Sequence, residues 1–159
     1  MLLILGKEYC KIDSNGRFKF PVALKRQLEG DDGRFVIRQS LYAACLELWT
    51  YDSFRAEVEG LQKMLNPYNK EDREMLRKLT EGNIVELDSN DRMLIPNEQK
   101  RVVAESKEIV LQSTGKFIEI WDYDRYQKMN AAASDMSERV DARLGSKKPV
   151  EADDGSGIS

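Results

Sequence analysis

Polar and apolar residues alternate on both sides of a short turn near the start of the chain. Residues 9–12 and 17–20 follow this period of two, which is typical of β-strands that bury one face. Between them, Asn15-Gly16 predicts a tight hairpin, because both residues tolerate the positive φ that such turns need. Pro21 then predicts the first position of a short helix that continues to Leu28.

The same pattern occurs a second time further along the chain. Residues 13–21 are DSNGRFKFP, and residues 88–96 are DSNDRMLIP. Downstream, the segment Leu46-Glu47-Leu48-Trp49 matches Ile118-Glu119-Ile120-Trp121 in the same order. Matched blocks with matched spacing indicate a duplicated supersecondary unit of about 75 residues. A half of this size buries little of its surface alone, so we expect the two halves to fold against each other as one pseudo-symmetric body.

Each half is predicted to continue with two more strands and a longer helix. The strands fall around residues 34–38, 45–49, 108–112 and 117–121. Helices are predicted to begin after Thr50 and Asp122, since both residue types cap helix N-termini. A further helix is predicted over residues 70–81, with Met75 directed inward. The helix after Asp122 is predicted to run to about Leu144 and to carry an apolar docking face.

Size and composition agree with one soluble body in the cytoplasm. The 159 residues are 33% charged and 41% hydrophobic, and no apolar run approaches the length that spans a membrane. Cys10 and Cys45 lie in apolar strand-like segments without metal-ligand spacing, which favours buried free thiols in a reducing compartment. Residues 145–159 are polar and partly acidic, and we expect them to be disordered. No metal, cofactor, membrane or small-molecule substrate is expected as a partner.

The overall charge of −3 conceals a basic segment at the start of the chain. Residues 1–28 contain six Lys or Arg and two acids, Glu8 and Asp13, which gives this segment a net charge of +4. Strand alternation predicts that one face of the first motif carries Lys11, Asp13, Arg17 and Lys19. A local basic patch is the electrostatic footprint of phosphate binding, so a polyanion such as double-stranded DNA is the predicted partner.

Arg17 is the leading candidate for contact with DNA. A β-ribbon can enter the major groove, where Arg can bond to guanine O6 and N7. Lys11, Asn15 and Lys19 are expected to support it. A carboxylate near the duplex would be repelled, whereas a short acidic side chain can bond turn amides. The residues predicted to structure the loops are therefore Asp13, Gly16 and Asp88.

A plainer interpretation of a single motif stays open at this point. Asp and Arg at the ends of a hairpin often form a surface ion pair that contributes under about 1 kcal/mol and has no further role. One Asp-x-x-x-Arg motif does not distinguish the two interpretations. Its recurrence with the same flanking residues in both halves argues against the interpretation as a surface ion pair alone.

The repeated Asp-x-x-x-Arg, each followed by hydrophobic-x-hydrophobic-Pro, resembles the MraZ family. The resemblance covers about residues 6–129 and includes the Leu-Glu-Leu-Trp and Ile-Glu-Ile-Trp strands. It implies an α+β, β-dominated fold in which two tandem swapped-hairpin AbrB-like (SpoVT-AbrB) modules form one pseudo-symmetric barrel with flanking helices. It also implies a bacterial DNA-binding transcription regulator, expected to repress its own cell-division and cell-wall operon. The resemblance further implies a ring-shaped homo-oligomer that presents its loops to repeated promoter elements, and a nucleoid-associated location.

The predicted domain boundaries follow the repeat. They are residues 6–54 for the first module, 55–82 for a helical connector, 83–126 for the second module, 127–144 for a C-terminal helix and 145–159 for the tail.

Two departures from the family pattern predict unequal loops. Asn15 stands where family members often carry Lys, and Asp91 stands where Gly is expected before Arg92. Asp91 makes a positive-φ turn harder and puts a negative charge beside Arg92. We therefore expect the first half to bind DNA through Arg17, while the second half is mainly scaffold and Arg92 contributes less.

Two other classes of function compete with this interpretation. An enzyme is disfavoured because the chain has no His, the commonest general base, and no G-x-S-x-G motif, phosphate-binding loop or paired Cys set. The alternative is an AbrB-like antitoxin or protein-interaction module. Such proteins usually have one module, whereas this chain has two.

Overall fold

The computed structural model describes residues 3–28, 32–103 and 105–145, and these form an α+β structure. The strands are β1 (Lys7–Lys11), β2 (Arg17–Lys19), β3 (Arg34–Gln39), β4 (Leu46–Thr50), β5 (Gly82–Glu86), β6 (Arg92–Leu94), β7 (Glu108–Ser113) and β8 (Ile118–Asp122). The α-helices are α1 (Val22–Lys25), α2 (Tyr51–Met64), α3 (Lys70–Leu79), α4 (Asn97–Lys100), α5 (Tyr123–Ala132) and α6 (Met136–Leu144). The α+β class and the predicted order of elements in each half are confirmed.

The strands of the two sequence copies interleave in one antiparallel sheet. Its order is β1-β7-β8-β4-β3-β5, which reads the same in reverse when each strand is exchanged for its counterpart. The first strand of each copy pairs with the third strand of the other copy. β1 pairs with β7, and β5 pairs with β3. The predicted module boundaries stay a prediction about sequence units, since the strands of both copies share one sheet.

A second, two-stranded sheet joins the copies again. Strands β2 and β6 pair antiparallel, with Phe18 opposite Met93. Both of these side chains are almost fully buried. Each of these strands directly follows its copy's Asp-x-x-x-Arg loop, so this pairing brings the two loops into one region.

One hydrophobic core lies between the inner face of the large sheet and the β2–β6 pair. It unites residues from both copies, including Phe18, Phe20, Leu48, Ile95 and Ile120. The alternation in the sequence predicts which side chains of each strand face this core, because these are the apolar ones.

The outer face of the large sheet carries two smaller clusters in matching positions. Val36, Trp49 and Phe54 form the first, and Val110, Trp121 and Tyr126 form the second. Trp49 and Trp121 are 2% and 5% exposed, so both indoles are packed within these clusters. Each indole N–H donates to a glutamate two residues earlier in the same strand.

The helix caps are as predicted, while other helix details differ. Thr50 accepts a hydrogen bond from the Ser53 amide at 3.2 Å, and Asp122 accepts one from the Arg125 amide at 3.4 Å. Pro21 is the N-cap of α1 rather than its first helical residue. The prediction that Met75 points inward is wrong: α3 buries none of its residues, and Met75 is 44% exposed.

The last predicted helix is two helices. Residues 133–135 separate α5 from α6, and Asp135 has a φ of 53°, which a continuous right-handed helix does not allow. A second compact unit begins at Gln127. The apolar residues of α6 are exposed, so a docking role for this face stays a prediction. The predicted disordered tail, beyond Gly145, lies outside the described residues.

Among the described residues, no helix is long and apolar enough to cross a membrane. Cys10 and Cys45 are both buried free thiols. Burial raises the pKa of the Cys10 thiol to about 11 and, with the help of Glu119 and Glu47, that of the Cys45 thiol to about 12.

Candidate nucleic-acid interface

The first Asp-x-x-x-Arg loop is held by its own carboxylate. Asp13 Oδ1 accepts hydrogen bonds from the backbone amides of Asn15 and Arg17, each at 2.9 Å. The Gly16 amide donates to the Asp13 carbonyl, and the Asp13 amide donates to the Arg17 carbonyl, both at 3.0 Å. Within the loop only Gly16 has a positive φ, of 88°. The turn predicted at Asn15-Gly16 is therefore present as a three-residue loop, in which Gly16 is left-handed and Asn15 is not.

The second loop repeats this geometry. Asp88 Oδ1 accepts from the amides of Asn90 at 2.8 Å and Arg92 at 2.9 Å. Asp91 takes the place of the glycine with a φ of 61°. A left-handed conformation is less costly for Asp than for most residues, because its short polar side chain can bond locally. The loop thus keeps its shape without glycine.

Both loop carboxyls are stabilised in their charged form. The backbone amide of Arg17 is the main reason that the pKa of Asp13 lies below its ordinary value. The amides of Arg92 and Asn90 lower the pKa of Asp88 in the same way. The guanidinium groups of both arginines lower the pKa of each carboxyl further. The two aspartates are therefore ionised and hold the backbone of their loops through hydrogen bonds, which is consistent with the structuring role predicted from the sequence.

The structure brings four predicted cations together on one surface. Lys19 lies opposite Arg92 in the β2–β6 ladder, and Arg17 lies opposite Leu94. A single shallow depression is lined by Lys11, Arg17, Lys19 and Arg92, together with Asp13, Ile12 and Phe18. All four cationic side chains are exposed, and the two aromatic or aliphatic residues beneath them are buried. We call this surface the basic depression, and its four cations are Lys11, Arg17, Lys19 and Arg92.

The remaining predicted site residues lie beside the basic depression rather than in it. Asn15 is exposed in its loop, and it does not line the depression. Gly16 is buried, and its carbonyl accepts a hydrogen bond from the Ile95 amide at 2.8 Å. In the other copy the Asp91 carbonyl accepts from the Phe20 amide, also at 2.8 Å. Each loop is thus fastened to the strand end of the other copy.

Sequence reasoning missed two lysines that reach across to the other copy's loop. Lys25 Nζ contacts Asp91 Oδ1 at 2.7 Å, and Lys100 Nζ donates to the Ser14 carbonyl at 3.3 Å. The two lysines occupy matching positions, four residues after Pro21 and after Pro96. This matched spacing was the available signal, but only the interleaved pairing shows which loop each lysine meets.

These features define a duplicated β-hairpin protein that presents paired, carboxylate-braced loops with exposed arginines. A family model described as "MraZ protein, putative antitoxin-like" matches residues 79–146. A protein of Christiangramia forsetii named "Transcriptional regulator MraZ" is 36% identical over 138 residues, which cover 85% of this chain and 88% of the relative.

Further relatives carry the same name. The one from Flavobacterium psychrophilum is 34% identical over 162 positions, which span both chains completely. The one from Cytophaga hutchinsonii is 32% identical over 126 residues, 77% of this chain and 82% of the relative. The chain belongs to the MraZ family, and the resemblance found from its repeated motif is confirmed.

Proposed function

We propose that this protein is a transcriptional regulator that binds double-stranded DNA through its paired hairpin loops. The observation that carries the proposal is the basic depression, in which exposed Lys11, Arg17, Lys19 and Arg92 converge from two sequence copies. Exposed Lys and Arg side chains grouped on one surface suit a polyanion, and the relatives' name supplies the role in transcription.

The loop geometry suits this task because each carboxylate acts inward. Asp13 and Asp88 use their charge on backbone amides of their own loops. This bonding fixes the backbone from which Arg17 and Arg92 extend. A preorganised guanidinium loses less conformational entropy when it binds a phosphate or a guanine edge. We propose base or close phosphate contact for Arg17, with Asn15, Lys11 and Lys19 in support.

The finer fold assignment is also a proposal. Strand exchange between the copies and the β2–β6 pairing support a swapped-hairpin barrel built from two AbrB-like modules. In such a barrel the two loops would approach DNA together. The expected target is the upstream region of the chain's own operon, and the expected location is the nucleoid.

A ring-shaped homo-oligomer would make modest single sites strong. Several copies of the basic depression, presented to spaced promoter repeats, raise the effective concentration of each further contact. Multi-angle light scattering should give a mass of several subunits. A stable monomer at working concentration would remove the ring from the proposal.

The central test compares the two arginines in a gel-shift titration at fixed salt. We expect Arg17→Ala to abolish binding to the upstream DNA, because Lys11 and Lys19 flank this residue in the basic depression. Arg92→Ala should weaken binding less, because its own copy offers Glu86 and Leu94 at the positions that match Lys11 and Lys19. Loss of one good Arg contact corresponds to about 1–3 kcal/mol, and in an oligomer this loss recurs at every subunit that contacts the DNA.

Arg77→Ala is the matched control, since Arg77 is an exposed arginine on α3, outside the loops. It should bind like the unaltered protein. Equal losses for Arg17→Ala and Arg92→Ala would refute the asymmetry between the copies. Full binding by Arg17→Ala would refute the interface itself.

An antitoxin-like or protein-binding role is the second candidate, favoured by the wording of the matching family model. This role predicts that a protein partner binds to the chain. It also predicts that Arg17→Ala leaves the binding of this partner unchanged. The relatives' name is that of a regulator and not of an enzyme, and we propose no catalytic activity.

A further inference from the structure

Asp91 adds a negative charge to the second loop that the first loop lacks, and this charge opposes the proposed function. It lies between Asn90 and Arg92, at the position that Gly16 fills in the first loop. An unpaired carboxylate there would repel DNA phosphates and compete with them for the neighbouring guanidinium. The second loop is nevertheless built like the first, so its added charge needs an explanation.

Lys25 of the other copy meets this carboxylate directly. Its Nζ lies 2.7 Å from Asp91 Oδ1, and the two side chains are 49% and 37% exposed. The contact joins residues 66 positions apart, and it depends on the interleaving of the two copies. Lys25 is itself one of the cations in the basic N-terminal segment, and here it is directed at an acid of the protein.

The matching contact in the first loop has no acid. Lys100 lies over Gly16, where an added Cβ would come within 2.8 Å of Lys100 Cδ. Its ammonium group donates to the Ser14 carbonyl. The two matching lysines therefore differ in geometry. The aliphatic part of Lys100 covers the backbone at Gly16, whereas the ammonium group of Lys25 pairs with the carboxylate of Asp91.

We propose that Lys25 is the intramolecular counter-ion of Asp91, a positioning residue that keeps the second loop competent to bind a polyanion. It cancels the charge of Asp91, and it thereby leaves Arg92 available for DNA phosphate. The inference deepens the proposed function and rests on it. Lys25 then contributes to DNA affinity through Asp91 rather than through a phosphate contact of its own.

A charge-removal cycle tests this pairing with upstream DNA in equilibrium titrations. The variants are Lys25→Met, Asp91→Asn and the double variant, with Lys25→Arg as the conservative replacement. Asn tolerates a positive φ, so Asp91→Asn changes charge with little change of backbone. We expect Lys25→Met to bind about tenfold more weakly, because it uncovers a carboxylate beside the duplex. Adding Asp91→Asn should restore most of the loss, and Lys25→Arg should bind like the unaltered protein.

Lys100→Met is the matched control, since it removes the corresponding cation, whose ammonium group donates to a backbone carbonyl instead of pairing with a loop carboxylate. It should weaken binding by less, about threefold. The salt dependence gives a second readout, because a lysine that contacts phosphate contributes about 0.9 to the slope of log affinity against log salt. The double variant should keep the slope of the unaltered protein.

Two results would overturn the inference. If Lys25→Met and the double variant bind equally weakly, with a reduced salt slope, Lys25 contacts DNA itself. If Lys25→Met loses no more than Lys100→Met, the charge of Asp91 does not matter. Failure of the unaltered protein to bind would instead overturn the proposed function, and this inference with it.

Discussion

Asp13 and Asp88 show how one side chain can define a loop. A single carboxylate oxygen of each holds two backbone amides of the same hairpin, so the charge is used within the protein. The residue types and the repeat predict this role. The sequence does not reveal that Asp91 is paired with Lys25, because nothing in either copy shows which lysine crosses to which loop.

The loop carboxyls predict a loss of stability in acid. Their pKa values are lowered on folding, so the stability they supply is present above the ordinary carboxyl pKa of about 4. It is lost as the pH falls through the lower pKa of the folded protein. The doubly substituted Asp13→Asn, Asp88→Asn variant should be less stable than the unaltered protein at pH 7.

That difference should shrink on acidification, since protonated Asp and Asn are both neutral. Urea unfolding between pH 7 and pH 2 would measure it. A difference that does not change with pH would mean that the carboxylate charge is not what braces the loops.

At the scale of elements, the two outer-face clusters share an edge-to-face contact between a tryptophan and a second aromatic ring, and they differ in polar chemistry. In the first copy Arg38 on β3 pairs with Glu47 on β4 at 2.9 Å, and both residues are buried. Its guanidinium also donates to the Leu79 carbonyl at the end of α3. In the second copy Gln112 takes the place of Arg38 and accepts a hydrogen bond from the Tyr126 hydroxyl at 3.0 Å.

This difference predicts unequal effects of matched substitutions. Arg38→Ala leaves Glu47 buried without its cation and should lower the free energy of unfolding by about 3 kcal/mol. Gln112→Ala removes two neutral hydrogen bonds, one with the Tyr126 hydroxyl and one with the Ser113 carbonyl, and should lower it by about 1–2 kcal/mol. Chemical denaturation of both variants would measure the two effects. Similar values would show that Glu47 does not depend on Arg38.

The elements themselves were largely predictable, and their interruptions were not. Alternation and the repeat identify strands such as β3 and β7, and Thr50 identifies the start of α2. The apolar spacing beyond Tyr126 continues through residues 133–135, so it conceals the break between α5 and α6. Met75 has apolar spacing as well, but α3 buries none of its residues.

At the scale of the whole molecule, the exchange of first strands joins the two copies into one unit. The described residues up to Tyr126 form this compact unit, and its core draws on both copies. The sequence predicts two similar halves that fold together. The strand patterns alone do not predict the exchange, because the two copies are too alike to show whether β1 pairs with β3 or with β7; only the resemblance to the MraZ family implies swapped hairpins.

The exchange predicts that both copies unfold in one transition. Trp49 and Trp121, the two tryptophans of the chain, each report on one outer-face cluster. The variants Trp49→Phe and Trp121→Phe each retain a single fluorescent reporter. Within either variant, fluorescence and far-ultraviolet circular dichroism should give the same denaturant midpoint. A fluorescence midpoint that differs from the circular dichroism midpoint would show that one copy can open while the other stays folded.

The symmetry of the strand order, which is unchanged when the two copies are exchanged, also affects how the sequences of the two copies can diverge. A chain with one copy could complete this sheet only by combining with a second identical chain, and every loop would then carry the same residues. Joining both copies in one polypeptide removes that requirement. Gly16 can persist in one hairpin while an aspartate evolves in the other, provided that a lysine arises or is already present on the opposite copy to receive it.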